Sequence, residues 1–233
     1  MASAADLYSL QEIDLALDRS HARLEEIEEK SQETEELKSA RSLLEEREQL
    51  IRELKARQKD LEADVEQVRG KAAEVEAKLY GGKVTSPKEL SDLNDDMKSL
   101  KAEASRREDK LLILLVEVDD VEASAREARS AYSQLEADWR GQRDSLMQEK
   151  RQLEPQVQAL TADRGQKAGD VDRPSVALYE LLRERKAGQA VARVERGMCG
   201  GCRITLPMSI IQKAKAGGGL VQCVSCERIL YVI

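Results

Sequence analysis

Phenylalanine is absent from these 233 residues, and aromatic side chains of all kinds make up only 3% of the chain. A large globular core of ordinary make-up is therefore excluded, because aromatic rings normally supply much of its buried volume. Histidine occurs once, at His21, far from every cysteine, so it is not a metal ligand alongside them. No glycine-rich phosphate loop and no Ser/His/Asp set is present, which argues against an enzyme. The longest apolar run, Leu111 to Val116, is far too short to cross a bilayer. The start, Met-Ala-Ser-Ala-Ala-Asp, lacks the basic stretch followed by an apolar one that marks export. A cytoplasmic, reducing location with no membrane association is expected.

What is present is sharply divided. All four cysteines fall near the C-terminus, as Cys199-Gly-Gly-Cys202 and Cys223-Val-Ser-Cys226, with twenty residues between the pairs. A C-x2-C turn lets two sulfurs of one tight loop reach a single ion, and two such loops complete a tetrahedral shell. The alternatives are two disulfides, which need an oxidising compartment, a redox-active pair, or four unrelated buried thiols. The spacing favours one structural zinc ion held by Cys199, Cys202, Cys223 and Cys226.

Charge and glycine follow the same division. Residues 170–233 hold ten Lys/Arg and six Asp/Glu, a net of +4, against −11 for residues 1–169. Nine of the thirteen glycines lie at or after Gly165. Two units are expected: an acidic coiled-coil hairpin over 1–165 and a mildly basic zinc-ribbon domain over 166–233.

The acidic part repeats in sevens. From Leu90 the series Met97, Ala104, Leu111, Val118, Ala125, Tyr132, Trp139, Leu146, Leu153 and Leu160 is apolar or aromatic throughout. Such a heptad keeps one stripe facing a partner helix. An earlier arm repeats less strictly through Leu37, Leu44, Ile51, Gln58, Val65, Ala72 and Leu79, with Leu54, Leu61, Val68 and Val75 as its second row. Leu24 and Leu37 are thirteen residues apart rather than fourteen, so the register slips there and the supercoil should change locally.

Tyr80-Gly-Gly-Lys-Val-Thr-Ser-Pro87 separates the arms. Gly81 is expected to take the left-handed conformation that closes the first arm. Ser86, Pro87 and Glu89 read as a capping box opening the second. Equal arms around a short turn predict an antiparallel hairpin with its tip at about 80–87, each arm on the order of 110 Å long. Pro155 should kink or end the second arm, and residues 161–169 read as a linker.

Leu112, Ile113, Leu115 and Val116 lie off the heptad seam. They either widen it against weak residues near Arg57 and Gln58, or form a second contact surface for a partner or for self-association.

In the C-terminal part, Asp172-Arg-Pro174 opens a short helix over 176–186, closed by Gly188. A strand over 190–195 leads through Gly197 to the first cysteine pair. A helix over 208–216 ends at three glycines, and a strand over 228–232 follows the second pair. The fold class expected is mainly α, a long antiparallel coiled-coil hairpin followed by a small C-terminal zinc ribbon.

These features together resemble a bacterial family built from a long coiled-coil hairpin followed by a C4-type zinc ribbon, long described as a domain of unknown function. The resemblance rests on Leu10-Gln-Glu-Ile-Asp14, the tip Leu79 to Leu90, Tyr179 to Arg183, the Gly197 to Cys202 run with Leu206-Pro207, and Cys226 to Tyr231. It covers essentially the whole chain. It implies the four cysteines as zinc ligands and a non-enzymatic regulatory or adaptor role. Relatives are linked to flagellar gene control and bind the alternative sigma factor of nitrogen-type promoters and, in one case, a messenger RNA. This sequence departs from the family at Glu227, where glycine is usual, and at the Thr-Ser-Pro of the tip.

Two functions compete. A scaffold would use the acidic hairpin and the ribbon to hold protein partners, such as transcription machinery or a sigma factor. A nucleic-acid-binding protein acting in transcriptional or post-transcriptional regulation would use Arg193, Arg196, Arg203, Lys213, Lys215 and Arg228 on phosphates, with Tyr231 stacking on a base. A factor that inserts its tip into the RNA polymerase secondary channel is disfavoured, because the tip carries Lys83 and Lys88 rather than acids.

Overall fold

The computed structural model describes residues 3–232. Five helices and three short strands are ordered α1 (Ala4–Lys30), α2 (Glu35–Tyr80), α3 (Pro87–Gly169), α4 (Arg173–Arg185), β1 (Val191–Glu195), β2 (Met198–Cys199), α5 (Met208–Lys215) and β3 (Ile229–Tyr231). They divide into two compact units. One contains Glu33–Gly141; the other contains the residues up to Gln32 together with those from Gln142 on. The packing therefore does not follow the sequence boundary at 165/166, because α1 packs with the C-terminal elements.

In the first unit α2 and the early part of α3 form an antiparallel hairpin. Its register is written in ion pairs: Glu76–Lys101 at 2.9 Å, Arg69–Glu108 at 2.9 Å, Lys55–Glu122 at 2.7 Å and Glu48–Arg129 at 2.5 Å. Each step back along α2 by seven or fourteen residues is matched by the same step forward along α3, as two facing heptads require. Leu37, Leu54, Val65, Val68 and Ala72 are buried on α2, and Ala104, Val118, Ala125 and Ala128 on α3. The seam thus sets mostly larger aliphatics of one helix against the small side chains of the other.

Four expectations are corrected. The register slip is a helix break, not a change of supercoil: α1 stops at Lys30, and Thr34 restarts the chain by accepting a hydrogen bond from the Leu37 amide at 3.2 Å. At the tip Gly81 stays right-handed, with φ −73°, and Gly82 takes the left-handed turn, with φ +70°. Pro155 does not end α3, which continues helical to Gly169, so 161–169 is not a linker. Pro155 is exposed, so the Arg151 carbonyl it frees can be taken up by water. Finally, Leu112, Ile113 and Val116 do not widen the seam, being 61, 70 and 61% exposed. Only Leu115 is half-buried.

The second unit contains a three-stranded sheet with α1 and α4 on one face and the short α5 on the other. The strand order is β2-β1-β3, with β1 antiparallel to β2 and parallel to β3. Side chains alternate across a strand. Val191 and its partner Ile229 point into one core, with Leu7 and Leu10 of α1, Tyr179 and Leu182 of α4, and Val171. Ala192 and its partner Leu230 point into the other, with Cys199, Leu206, Val221 and Cys223. One face of the ribbon is therefore covered by α1 and α4, and the cysteines lie on the opposite face.

Candidate metal centre

The two cysteine pairs are built alike. In the first, the Cys199 amide donates to the Ile204 carbonyl at 3.0 Å, and the Arg203 amide donates to the Cys199 carbonyl at 2.7 Å. In the second, the Cys223 amide donates to the Arg228 carbonyl at 2.9 Å, and the Glu227 amide to the Cys223 carbonyl at 2.9 Å. Each loop turns back through a left-handed residue at the same place, Arg203 with φ +63° and Glu227 with φ +64°. Glu227 thus occupies the conformation for which glycine is the unstrained residue. Gly200 is required for another reason: a Cβ there would lie 2.7 Å from the Arg193 carbonyl oxygen, to which its own amide bonds at 2.9 Å.

The four sulfurs lie within 4.8 Å of one another. Cys199 and Cys226 are 3.7 Å apart, and Cys202 and Cys223 3.8 Å. A disulfide needs about 2.05 Å, and all four cysteines are free. Four thiolates about 2.3 Å from a tetrahedral zinc would sit about 3.8 Å apart. The donor set fits one zinc ion and leaves it no open position for a substrate, so the zinc supplies folding energy and no chemistry.

The thiols are unequal. Burial pushes Cys199 up to about 12 against the help of the Cys202 and Gly201 amides. Burial opposes ionisation of Cys226 too, but the Arg228 amide, the neighbouring thiols and the Arg228 guanidinium outweigh it and bring it to about 7. The ligand set must therefore lose protons as it takes up metal.

Of the cations proposed for nucleic acid, Arg228 is already committed. Its Nε donates to the Gln189 carbonyl at 2.8 Å, and its side chain lies against Gly201. Tyr231 is stacked on Tyr8 with ring centroids 5.1 Å apart. Arg193 approaches Glu195 at 3.9 Å. Arg196, Arg203, Lys213 and Lys215 are exposed.

A second constellation holds the ribbon in place. Gln11 of α1 bonds both backbone groups of Val191, accepting from its amide at 2.7 Å and donating to its carbonyl at 3.0 Å. Asp14, 1% exposed, accepts from the Tyr179 hydroxyl at 2.7 Å and from Arg164 Nε at 2.6 Å, with Arg183 at 3.6 Å. Arg164 also pairs with Glu180, and Arg183 with Asp18 at 2.6 Å. Burial first, then the Asp14 carboxylate, raises the Tyr179 pKa. The one signal in the sequence was a carboxylate set between the apolar positions Leu10 and Leu17 of a helical stripe.

The comparisons with known proteins agree. A CT398-like coiled coil hairpin domain profile matches residues 10–187, and a C4-type zinc ribbon domain profile matches residues 198–230. An uncharacterized protein of Mycobacterium tuberculosis is 25% identical over 171 residues, 72% of this chain and 69% of the relative. CT398 from Chlamydia trachomatis is similar in structure, with TM-score 0.74, 22% identity and coverage of 99% of this chain and 97% of that one. A Mycobacterium smegmatis structure gives TM-score 0.66 at 19% identity, covering 98% of each chain. With its hairpin in register and its four sulfurs gathered at one point, the chain belongs to the CT398-like coiled-coil hairpin family and carries that hairpin together with a C4-type zinc ribbon.

Proposed function

We propose that this protein is an adaptor that scaffolds protein partners through its coiled coil and its ribbon. The coiled-coil hairpin with a zinc ribbon supports a non-enzymatic structural or regulatory role. The observation that carries the adaptor reading is the grip of α1 on the ribbon, through Gln11 on Val191 and Asp14 on Tyr179 and Arg164. A ribbon held on both faces, one by helices and one by metal, is a rigid docking platform rather than a loose appendage. A cytoplasmic site of action is part of this proposal. Among the described residues no helix is long and apolar enough to cross a membrane. The resemblance to sigma-factor-binding relatives makes the nitrogen-type alternative sigma factor and the transcription machinery the first partners to try.

Co-purification from native cells, compared between the full chain and a chain with a shortened hairpin, tests the reading. Partners lost with the arms support the adaptor. A partner set unchanged by shortening contradicts it.

A second reading keeps the ribbon as a nucleic-acid surface. It is favoured by Arg196, Arg203, Lys213 and Lys215, which are exposed and have no ion pair among the described residues. Filter binding should then fall steeply with salt. No retention of RNA or DNA at low salt removes this reading.

A further inference from the structure

The ladder of ion pairs along the hairpin has a missing rung. Between Arg69–Glu108 and Lys55–Glu122 both helices advance fourteen residues, and the skipped heptad sets Glu62 opposite Leu115. Glu62 turns back along its own helix and accepts from Gln58 at 2.7 Å. On α3 the same level carries Leu112, Ile113 and Val116, 61, 70 and 61% exposed. A run that neither fills the seam nor joins the ladder has been left facing water, at a cost in solubility that a surface without a partner would not bear.

The charges around it are selective. Asp109, Leu112, Ile113, Val116 and Asp120 follow the spacing i, i+3, i+4, i+7, i+11, which is one stripe of a helix. Asp119 adjoins its far end. These three aspartates are exposed and have no ion pair among the described residues. Of the other nearby acids, Asp64, Glu103, Glu108 and Glu122 are paired, whereas Glu117, next to Val116, is exposed and has no ion pair among the described residues. Arg106 and Lys110 stand to one side of the stripe. The apolar step is thus closed at both ends by free carboxylates, about 16 Å apart at the rise of an α-helix.

This pattern selects the occupant. A second copy laid antiparallel on the stripe would set Asp109 against Asp120, and a parallel copy would set each aspartate against itself. Like charges meet in either case. We propose that the Leu112–Ile113–Val116 stripe binds an amphipathic helix of another protein, whose apolar residues are flanked by Lys or Arg one turn beyond each end. The proposal rests on the adaptor reading and supplies the chemistry of one partner.

The probe is a stapled helical peptide presenting leucines at i, i+4 and i+7 with arginine one turn beyond each end. Its twin carries glutamate in place of arginine. Fluorescence anisotropy against the full-length, zinc-loaded chain should show the arginine peptide binding at least about tenfold more tightly than the glutamate twin. Ile113→Lys should weaken it by a similar factor while leaving the melting temperature unchanged, because the site is exposed. Equal binding of the two peptides, no binding of either, or equal binding to the wild type and Ile113→Lys overturns the proposal. So does a concentration-dependent dimer that Ile113→Lys abolishes, which would make a second copy the occupant. If Ile113→Lys still captures the partners that the shortened hairpin loses, this stripe fails and the adaptor reading stands.

Discussion

The hydroxyl of Tyr179 donates to the carboxylate of Asp14 at 2.7 Å across 165 residues of sequence, with both side chains almost fully buried. The bond ties α4 to α1, and Gln11, one turn before Asp14, ties α1 to β1. The N-terminal helix is thereby part of the ribbon's foundation. Asp14→Ala strands the Tyr179 hydroxyl and removes a partner from Arg164 and Arg183. Losing one member of a buried ionic network should cost roughly 3 kcal/mol. Urea unfolding of the zinc-loaded protein measures it. Asp14→Asn, which still accepts from Tyr179, should lose less.

The same pair sets an alkaline limit. Burial and Asp14 raise the Tyr179 pKa in the folded protein. An unfolded tyrosine ionises at about 10. The folded state holds the proton more tightly, so its contribution is complete below that pH and declines as pH rises above it. Thermal melts from pH 8 to pH 11, each about the tyrosine range, should show wild-type stability falling above the unfolded value. Tyr179→Phe should fall less over that interval. Parallel curves for the two proteins would remove Tyr179 as the cause.

Glu227 is left-handed, with φ +64°, in the second cysteine loop. Glu227→Gly should stabilise the zinc-loaded protein by about 1 kcal/mol, read as a raised midpoint in urea. The pair it gives up, Lys186–Glu227 at 3.7 Å with Glu227 69% exposed, contributes little. Gly200→Ala should do the reverse, because its Cβ would meet the backbone oxygen of Arg193 at 2.7 Å. Gly201→Ala should be milder, because the atom it meets at 2.6 Å belongs to the Arg228 side chain, which can move.

The heptads announced the hairpin because a repeated apolar stripe is a local property of each helix, readable from Leu90 onward without knowledge of its partner. The cysteine spacing likewise announced the metal centre. What stayed hidden depends on residues distant in sequence or on solvent. Asp14 could not be told from a surface carboxylate until Tyr179 and Arg164 were brought to it. Pro155 read as a breaker because its exposed side was not visible in the sequence. The break at 31–34 showed only as one missing residue in the heptad, although Thr34 ahead of Leu37 was a cap in waiting. Arg228 and Tyr231 read as surface groups until the fold committed them to Gln189 and Tyr8.

Metal removal should act unevenly. The cluster of Ala192, Cys199, Leu206, Val221, Cys223 and Leu230 is closed by the cysteine side, whereas the opposite face is packed by α1 and α4. Chelation should strip hydrogen-exchange protection from the cysteine loops and α5 and leave the helical circular dichroism nearly intact. Unchanged exchange at 199–226 after confirmed zinc loss would show that the metal contributes nothing to this fold.

A closed, structural four-thiolate site has a definite spectroscopic signature. Zinc-edge X-ray absorption on the purified protein tests it directly. One zinc per chain is expected, with four sulfur neighbours at about 2.3 Å and no lighter atom in the shell. An oxygen or nitrogen ligand would reveal an open coordination position and contradict a purely structural zinc.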